Sequence, residues 1–335
     1  MIVVRAPLRV SFVGGGTDFA NFYTRTPGRV ISTAIDKWVY LVINKTPMID
    51  RISARYSITE TVDKLDELQH TRIKAALLDL GIEKGIEIGS FASLPTKTGL
   101  GSSSSFSVAL MKGLHASFGR SLTSYQAAEE ACRLEITLLG EPIGKQDQYA
   151  AAFGGLNRIQ FNPDHSVEVK PILMNYHVQS KLEGHLLMFF TGITRFASKI
   201  LIEQKNSISQ KFDTLREMAD STFDFEKVLL KGDIKGVARI LHSGWLLKRS
   251  LASAVSNSAI DNLYNIGIGA GALGGKVLGA GGGGCILFVV PPKKRSRVSK
   301  ELLKESARSG LSQARVIPFR FVNFGTEVVF DDQIA

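Results

Sequence analysis

Short apolar and alternating stretches occur along the whole chain, and longer amphipathic stretches separate them. Alternation puts every second side chain on one face of a strand, as in Ile2–Val13, where Leu8, Val10 and Phe12 share a face. By the same pattern, or by short continuous apolar runs, we predict strands at residues 30–43, 85–91, 156–169, 185–190, 285–290 and 316–323. Strands spread in this way indicate a mixed α and β protein.

Apolar residues at helical spacing fill much of the remaining sequence. One apolar stripe predicts a helix that ends at Gly119, and a capping box formed by Thr123 and Gln126 begins a second helix over residues 124–139. A long charged, amphipathic region covers residues 198–254. These helices alternate with the predicted strands, particularly in the first half of the chain.

A length of 335 residues suggests two domains. The polar stretch at residues 176–184 lies between two predicted strands and is the best candidate for a linker. We therefore predict an α+β fold with one domain at residues 1–178 and a second at 179–335.

The composition narrows the class of protein. With 44% hydrophobic residues the chain can bury substantial cores, but it has no long uninterrupted apolar stretch, so we expect no membrane segment, no signal peptide and a cytoplasmic location. Cys132 and Cys285 lie in apolar patterns, which is typical of reduced, buried thiols. The six histidines show no metal-ligand spacing.

The net charge of +10 favours anionic partners, either phosphorylated substrates or RNA. The densest basic cluster, residues 293–297, follows two prolines and has no interleaved aromatic residues. A solvated loop is the better interpretation of this cluster, and we expect no nucleic acid to bind. A non-catalytic basic RNA-binding module remains the remote alternative.

Residues 95–105, PTKTGLGSSSS, have the chemistry of a phosphate-binding loop. Glycines let the backbone approach an anion closely, and the first turn of the helix that follows leaves N–H groups unpaired. The loop is not a Walker A motif, because Lys97 precedes the glycines. A flexible serine-rich linker is the alternative, but linkers are rarely followed at once by an apolar helix.

Two acidic residues become candidates for metal binding or catalysis if residues 95–105 bind a phosphate. Glu135 lies at the edge of an apolar helix face, where it could meet a nucleotide-bound Mg²⁺, an arginine or solvent. Asp147 precedes a short helix and could cap it, or it could face a cleft and accept a proton from a substrate hydroxyl. Arg9 is a candidate for the cation that would keep Asp147 ionised.

The glycine-rich stretch further along the chain has two parts. Residues 269–274 satisfy GxGxxG, but the strand, helix and acidic residue that a dinucleotide-binding unit requires are missing from their surroundings. Residues 279–284 are predicted to form a tight turn into the strand at 285–290, packed close to a ligand or another backbone.

Three motifs together resemble the GHMP kinases, the superfamily of galactokinase, homoserine kinase, mevalonate kinase and phosphomevalonate kinase. They are APLRV followed by GGGTD at residues 6–18, PTKTGLGSSS at 95–104 and the glycine-rich segment 278–285. Glu135 precedes Asp147 by 12 residues, similar to the spacing of the magnesium glutamate and catalytic aspartate in galactokinases. With GKQDQYAAAFGG at 144–155 and TGITR at 191–195, the chain is most similar to the heptose 7-phosphate branch of the superfamily.

The resemblance implies a ribosomal S5 domain 2-like N-terminal domain, a ferredoxin-like C-terminal domain and a cleft between them that binds ATP with Mg²⁺. The implied reaction phosphorylates the anomeric hydroxyl of a heptose 7-phosphate, with fucose, galactose and mannose as alternative acceptors. A homo-oligomeric state stays open.

The resemblance also assigns roles to individual residues. Asp147 and Arg9 would be catalytic, and Ser103 and Glu135 would hold Mg²⁺. The implied ATP-binding residues are Pro95, Lys97, Gly99, Leu100, Gly101, Ser102, Ser103 and Ser104, whereas Ser105 belongs to the helix. The implied sugar-binding residues are Gly15, Gly16, Thr17 and Asp18. Arg195 and Lys276 are candidates for binding the substrate phosphate because they are basic and lie near glycines or motif-like residues.

Overall fold

A computed structural model describes residues 1–194 and 198–332 of the chain. The strands in these ranges are β1 (Ile2–Val13), β2 (Gly28–Lys45), β3 (Ile52–Arg55), β4 (Thr59–Val62), β5 (Ile86–Ala92), β6 (Leu156–Phe161), β7 (Val167–Pro171), β8 (Leu186–Phe190), β9 (Gly274–Val277), β10 (Cys285–Val289), β11 (Arg315–Ile317) and β12 (Glu327–Asp331).

The α-helices of the same ranges are α1 (Ala20–Tyr23), α2 (Thr71–Asp79), α3 (Ser102–Ser117), α4 (Ser124–Cys132), α5 (Gln146–Phe153), α6 (Tyr176–His185), α7 (Ser198–Ser207), α8 (Phe212–Leu230), α9 (Ile234–Arg249), α10 (Ser258–Ala270) and α11 (Arg295–Arg308). A π-helix at Arg133–Leu138 continues α4 directly. None of the described helices is long and apolar enough to cross a membrane.

Two sheets organise these elements. The larger sheet has the order β12-β1-β2-β5-β3-β4, with β6 paired to the first part of β2 and β7 outside β6. The smaller sheet has the order β11-β8-β10-β9 and is antiparallel throughout. Because β12 pairs with β1, the last described strand returns to the larger sheet after the smaller one is complete.

One hydrophobic core joins the two sheets. It combines buried residues of β1 and β2, such as Val10 and Ile35, with Met188 of β8, Leu287 of β10 and Phe225 of α8. A second core lies between the larger sheet and α2 and α3, and a third lies between the smaller sheet and α10 and α11. The apolar faces that the sequence pattern predicts are therefore buried between layers of strands and helices, and the two sheets share the central core.

The structure confirms most predicted elements and corrects three. The linker predicted at residues 176–184 is instead the helix α6, which Asn175 caps by accepting a hydrogen bond from the His177 N–H at 2.8 Å. The strand predicted at 316–323 ends at Ile317, since Pro318 cannot donate to a ladder. The basic cluster at 293–297 is not a loop, because its first two residues lie in a 3₁₀ turn and its last three begin α11.

The structure confirms the capping box predicted before α4 and the burial predicted for both cysteines. Thr123 and Gln126 form both halves of the capping box. The helix predicted over residues 124–139 is α-helical to Cys132 and π-helical beyond it. Cys132 and Cys285 are free, buried thiols.

Candidate active site

The loop between β5 and α3 presents the N-terminus of a long helix to a cleft of about 990 Å³. Gly101, with a left-handed φ of +77°, directly precedes Ser102, the first residue of α3, and the first turn carries no acidic side chain. The amides of a first helical turn have no partner within the helix and carry partial positive charge. This end of the cleft can therefore hold a phosphate group.

Most of the predicted ATP-binding residues line this cleft, namely Pro95, Lys97, Gly99, Gly101, Ser102, Ser103 and Ser104. Leu100 does not. Its side chain is buried in the shared core, and its carbonyl accepts a hydrogen bond from the Arg9 N–H at 3.0 Å. Ser105 is also buried and donates to the Pro7 carbonyl at 2.8 Å, so it belongs to the helix, as predicted.

The segment at residues 278–284 packs directly on the phosphate loop. A Cβ built on Gly99 would lie 2.6 Å from the carbonyl oxygen of Leu278, and one built on Gly279 would lie 2.6 Å from the Cα of Gly99. The Cys285 N–H donates to the Thr98 carbonyl at 3.0 Å. The close backbone approach predicted for this glycine-rich turn is thus an approach to the phosphate loop, and only glycines permit it.

Arg9 and Asp147 form a bidentate ion pair beside the phosphate loop. Arg9 Nε donates to Asp147 Oδ1 at 2.8 Å and Nη2 donates to Oδ2 at 2.7 Å, while Nη1 donates to the Gly99 carbonyl at 2.8 Å. A Cβ built on Gly101 would lie 3.4 Å from Asp147 Oδ2, so the carboxylate borders the N-terminus of α3. Asp147 does not cap α5, because the N-cap residue is Lys145 and makes no side-chain capping bond.

Glu135 lies in the π-helix with its side chain fully buried. Its Oε1 accepts hydrogen bonds from Ser107 Oγ at 2.9 Å, Arg72 Nε at 3.3 Å and Ser103 Oγ at 3.4 Å, and its Oε2 accepts one from Gln148 Nε2 at 2.6 Å. The sequence left Glu135 with a nucleotide-bound Mg²⁺, an arginine or solvent as its surroundings. Arg72 is the arginine partner, and the complete burial of Glu135 excludes solvent. A π-helical turn is often found where a functional side chain is placed.

The surroundings of Glu135 fit a magnesium ion that accompanies a nucleotide. Glu135 and Ser103 bring a carboxylate and a hydroxyl oxygen together at the phosphate loop, and Mg²⁺ prefers oxygen ligands. The described residues contain no group of three or more His, Cys, Asp or Glu side chains arranged for a metal. Mg²⁺ bound with nucleotide typically takes only one or two carboxylates and completes its shell with phosphates and water. The two protein oxygens therefore suffice.

A second carboxylate that lines the cleft, that of Asp18, is buried. This carboxylate is 2% exposed and accepts hydrogen bonds from the Gly16 N–H at 3.1 Å, the Gln146 N–H at 3.1 Å and Gln146 Nε2 at 3.3 Å. Burial raises the pKa of Asp18 above its ordinary value, with the Asp147 charge adding to the effect. Gly144 must be a glycine, because a Cβ there would overlap Asp18 Oδ2.

The other predicted sugar-binding residues divide into two groups. Gly16 and Asp18 line the cleft, whereas Gly15 and Thr17 do not. The Thr17 hydroxyl is fully buried and lies 2.9 Å from the carbonyl oxygens of Gly14 and Arg29, so it holds the turn together. Arg195 lies outside the described residues.

Lys276 does not reach the cleft. Its ammonium is buried and donates to the carbonyl oxygens of Ser11 at 2.8 Å and Phe12 at 2.9 Å. Burial lowers its pKa well below the ordinary lysine value. Lys276 therefore fastens β9 to the end of β1 and is not available to a sugar phosphate.

Sequence reasoning missed two cationic residues that line the cleft in the described part of the chain, one lysine and one arginine. Lys248 of α9 is 7% exposed and lines the cleft, and burial followed by the Arg9 charge lowers its pKa to about 8. Its spacing from Leu241 and Trp245 is a signal that could have found it, because a lysine at i+7 on an apolar stripe is directed inward. Arg72 also lines the cleft and pairs with Glu141 at 2.6 Å, and no local pattern indicates its role.

The end of the cleft beyond the phosphate loop is aromatic. The His70 ring lies 4.6 Å from the Tyr56 ring and 5.1 Å from the Phe106 ring, and Val39 and Leu94 line the same cleft. Burial lowers the pKa of His70, which favours the neutral ring. An apolar, aromatic end next to a phosphate loop is the surface that a nucleoside base requires.

Comparison with known families agrees with this layout. The GHMP kinases N terminal domain matches residues 64–155, and the GHMP kinases C terminal domain matches residues 225–308. The chain belongs to the GHMP kinase family. It is accordingly an ATP-dependent phosphotransferase, and its mixed α and β structure is the two-domain fold of the family, as expected from the sequence.

Individual relatives extend the comparison over almost the full chain. The chain is 28% identical over 317 residues to a D-glycero-alpha-D-manno-heptose 7-phosphate kinase of Campylobacter jejuni, covering 91% of this chain and 94% of that protein. It is 25% identical to a galactokinase of Pyrococcus furiosus over 91% of this chain and 93% of that protein. A crystal structure described as a D-glycero-D-manno-heptose 1-phosphate kinase of Bacteroides thetaiotaomicron superimposes with a TM-score of 0.81 at 27% identity, covering 99% of both chains.

Proposed function

We propose that this GHMP kinase transfers the γ-phosphoryl group of ATP to the anomeric hydroxyl of D-glycero-D-manno-heptose 7-phosphate, giving the 1,7-bisphosphate. The observation that carries the proposal is the Arg9–Asp147 pair, which borders Gly101 at the N-terminus of α3. A phosphate held by that helix and a hydroxyl held by that carboxylate would lie next to each other. Phosphoryl transfer depends mainly on such positioning and on electrostatic stabilisation.

In the proposed reaction, the anomeric oxygen forms a bond to the γ-phosphorus while the bond from that phosphorus to the bridging oxygen breaks. ADP leaves with the electron pair, and the hydroxyl proton passes to Asp147. Arg9 holds Asp147 in place, because its guanidinium donates a hydrogen bond to each carboxylate oxygen. The amides at residues 99–104 bind the phosphates of ATP. Asp147 could also act only by orienting the hydroxyl, which the same geometry supports.

Ser103 and Glu135 would hold the magnesium ion of MgATP, which supplies charge neutralisation at the phosphates. Arg72 Nε lies 3.3 Å from Glu135 Oε1 and places a positive charge beside this carboxylate. The aromatic end at Tyr56, His70 and Phe106 would take the adenine.

On the sugar side, Gly16 and Asp18 would contact sugar hydroxyls, and Arg195 would contact the 7-phosphate. A heptose 7-phosphate is supported by the similarity to the Campylobacter enzyme and by a net charge that favours an anionic substrate. The similarity to a galactokinase favours a second candidate, an unphosphorylated hexose or fucose.

We also propose the division into residues 1–178 and 179–335, a cytoplasmic location and, as an open alternative to a monomer, a homo-oligomer. The division rests on the two sheets, with β12 as the exception that crosses back.

The decisive experiment is a coupled ADP-release assay with MgATP and, in separate reactions, D-glycero-D-manno-heptose 7-phosphate, mannose, fucose and galactose. We expect turnover with the heptose 7-phosphate, and ³¹P NMR should show a new phosphate at C1 with the 7-phosphate retained. Activity confined to unphosphorylated sugars would overturn the heptose assignment and leave the sugar kinase. The absence of turnover with every sugar would contradict the proposed acceptor class.

A further inference from the structure

Lys248 is a buried cation that belongs to the second half of the chain but lines the cleft formed mainly by the first. It lies one residue before the end of α9, on the buried face that also carries Leu241 and Trp245. The helix therefore carries its ammonium into the cleft beside Arg9 and Asp147. A charged side chain placed there needs a reason, because burying an ammonium costs free energy unless it is well paired.

The hydrogen bond that Lys248 makes within the described residues is to a neutral group rather than to a carboxylate. Its Nζ donates to the carbonyl oxygen of Gly279, a neutral acceptor, although an ammonium carries three donors. Its nearby charges include Arg9, of like sign, and the carboxylates of Asp18 and Asp147, of which Asp147 is already paired with Arg9. The free protein thus places two cations and two carboxylates close together at one point of the cleft.

Lys276 shows what a purely structural buried lysine looks like in this protein. It is as buried as Lys248, but its ammonium donates to two carbonyls, those of Ser11 and Phe12, and it does not line the cleft. Lys248 differs in both respects. Its ammonium, bonded to a neutral carbonyl, is adjacent to the space where a ligand would lie.

The contact of Lys248 with the segment that packs on the phosphate loop favours an anionic ligand. Gly279 packs on Gly99, and each of these two glycines offers its carbonyl to a different cation, Gly279 to Lys248 and Gly99 to Arg9. The two cations therefore flank the contact between the two glycines. A phosphoryl group that moves from the N-terminus of α3 to a hydroxyl at Asp147 would pass close to both cations.

We propose that Lys248 is a further catalytic residue, whose ammonium contacts the non-bridging oxygens of the phosphoryl group during transfer, as a second cation beside Arg9. The proposal rests on the proposed kinase reaction but on no particular sugar. In the transition state the charge is spread over the three equatorial oxygens, so a second fixed cation stabilises that state more than bound ATP. Removing one such donor typically lowers kcat by about 10²–10³-fold.

Two substitutions separate the charge of Lys248 from its support of the Gly279 carbonyl. Lys248→Met removes both the charge and the hydrogen bond, whereas Lys248→Gln keeps an N–H donor and removes only the charge. We expect both variants to lose kcat by about 10²–10³-fold, with KM for ATP changed by less than about threefold. Lys248→Arg keeps the charge and should recover part of the loss. The matched control is Arg249→Met, one residue further on, whose exposed side chain pairs with Asp261 at 3.0 Å.

The closing measurement does not depend on knowing the sugar. Isothermal titration compares the affinity of each variant for MgADP alone with its affinity for MgADP plus aluminium fluoride, which stands in for the transferring phosphoryl group. In Lys248→Gln we expect unchanged MgADP affinity and a loss of about 10²-fold in the aluminium fluoride complex. Equal losses with both probes, or a wild-type aluminium fluoride affinity in Lys248→Gln, would overturn the role of Lys248. A wild type inactive on all sugars would contradict the proposed function separately, because this titration still gives its own answer.

Discussion

The contact between Gly99 and the segment at residues 278–284 should be essential to the geometry of the phosphate loop, and Gly99→Ala tests it. A Cβ at Gly99 would lie 2.6 Å from the Leu278 carbonyl oxygen. The two loops would have to separate by roughly 0.8 Å to reach the start of ordinary van der Waals contact. Gly99 also has a φ of +80°, so alanine is strained there in addition to the clash.

Gly119→Ala is the matched control, because it isolates the backbone term. Gly119 has a φ of +71°, but a Cβ there meets nothing within 4 Å. Both substitutions cost about 1–2 kcal/mol for the left-handed conformation, and both gain alike from a stiffer unfolded chain. The difference between the two variants then reports the clash alone, for which overpacking values give about 1–3 kcal/mol.

The assay has two parts. Thermal unfolding should place the apparent Tm of Gly99→Ala about 2–6 °C below that of Gly119→Ala. The coupled ADP-release assay should show a kcat reduced by up to about 10²-fold in Gly99→Ala alone, since displacements near 1 Å have effects of that size. Equal Tm and equal kcat for the two variants would refute the conclusion that the glycine-rich segment fixes the phosphate loop.

Three further changes test the site. Asp147→Asn should lower kcat by about 10²–10⁴-fold while calorimetric MgADP affinity is retained, and a near-normal kcat would contradict both the base and the orienting role. Arg72→Met leaves the buried Glu135 carboxylate without its cation, so the free energy of unfolding measured in urea should fall by about 1–3 kcal/mol. This loss is less than for a fully buried pair, because Arg72 is partly exposed and Glu135 keeps its other hydrogen-bond donors. MgADP should restore part of that loss and ADP with EDTA should not, whereas wild-type stability would contradict the pairing. Burial raises the pKa of Asp18, so the folded state binds its proton more readily than the unfolded state, and ionised Asp18 lowers stability at neutral pH. The stability of the wild type relative to Asp18→Asn should therefore rise as the pH falls from 7 towards about 4; a difference independent of pH would contradict this.

Local sequence signals predicted the elements that carry a strong periodic or capping pattern. The strand, loop and helix around residues 86–117 and the capping box at Thr123 were predictable because each depends on residues close together in sequence. The helix α6 was missed because Leu182 is its single buried residue, so it shows no apolar stripe. Its formation depends on the Asn175 cap and on packing that sequence spacing does not reveal.

Contacts in the site were predictable where the charge of one residue required a partner of opposite charge within a recognised motif. They were not predictable where only the folded chain brings the two residues together. Arg9 and Asp147 were expected to meet, and they do, although their catalytic roles stay predictions. Arg72 approaches Glu135 across 63 positions of sequence, and no local pattern encodes that contact. Thr17 and Leu100 lie within motifs that suggested ligand contact, but their side chains are fully buried and serve the turn and the core instead.

The return of β12 to β1, together with the core shared by the two sheets, limits how far this enzyme can be treated as modular. A chimera that exchanged everything after residue 178 would take the edge strand of its larger sheet from the other parent, along with half of the shared core. In the reciprocal chimera, Lys276 would have to find the same pair of carbonyls at the end of a foreign β1. Acceptor specificity in this scaffold is therefore more readily transplanted as individual cleft residues than as a whole domain.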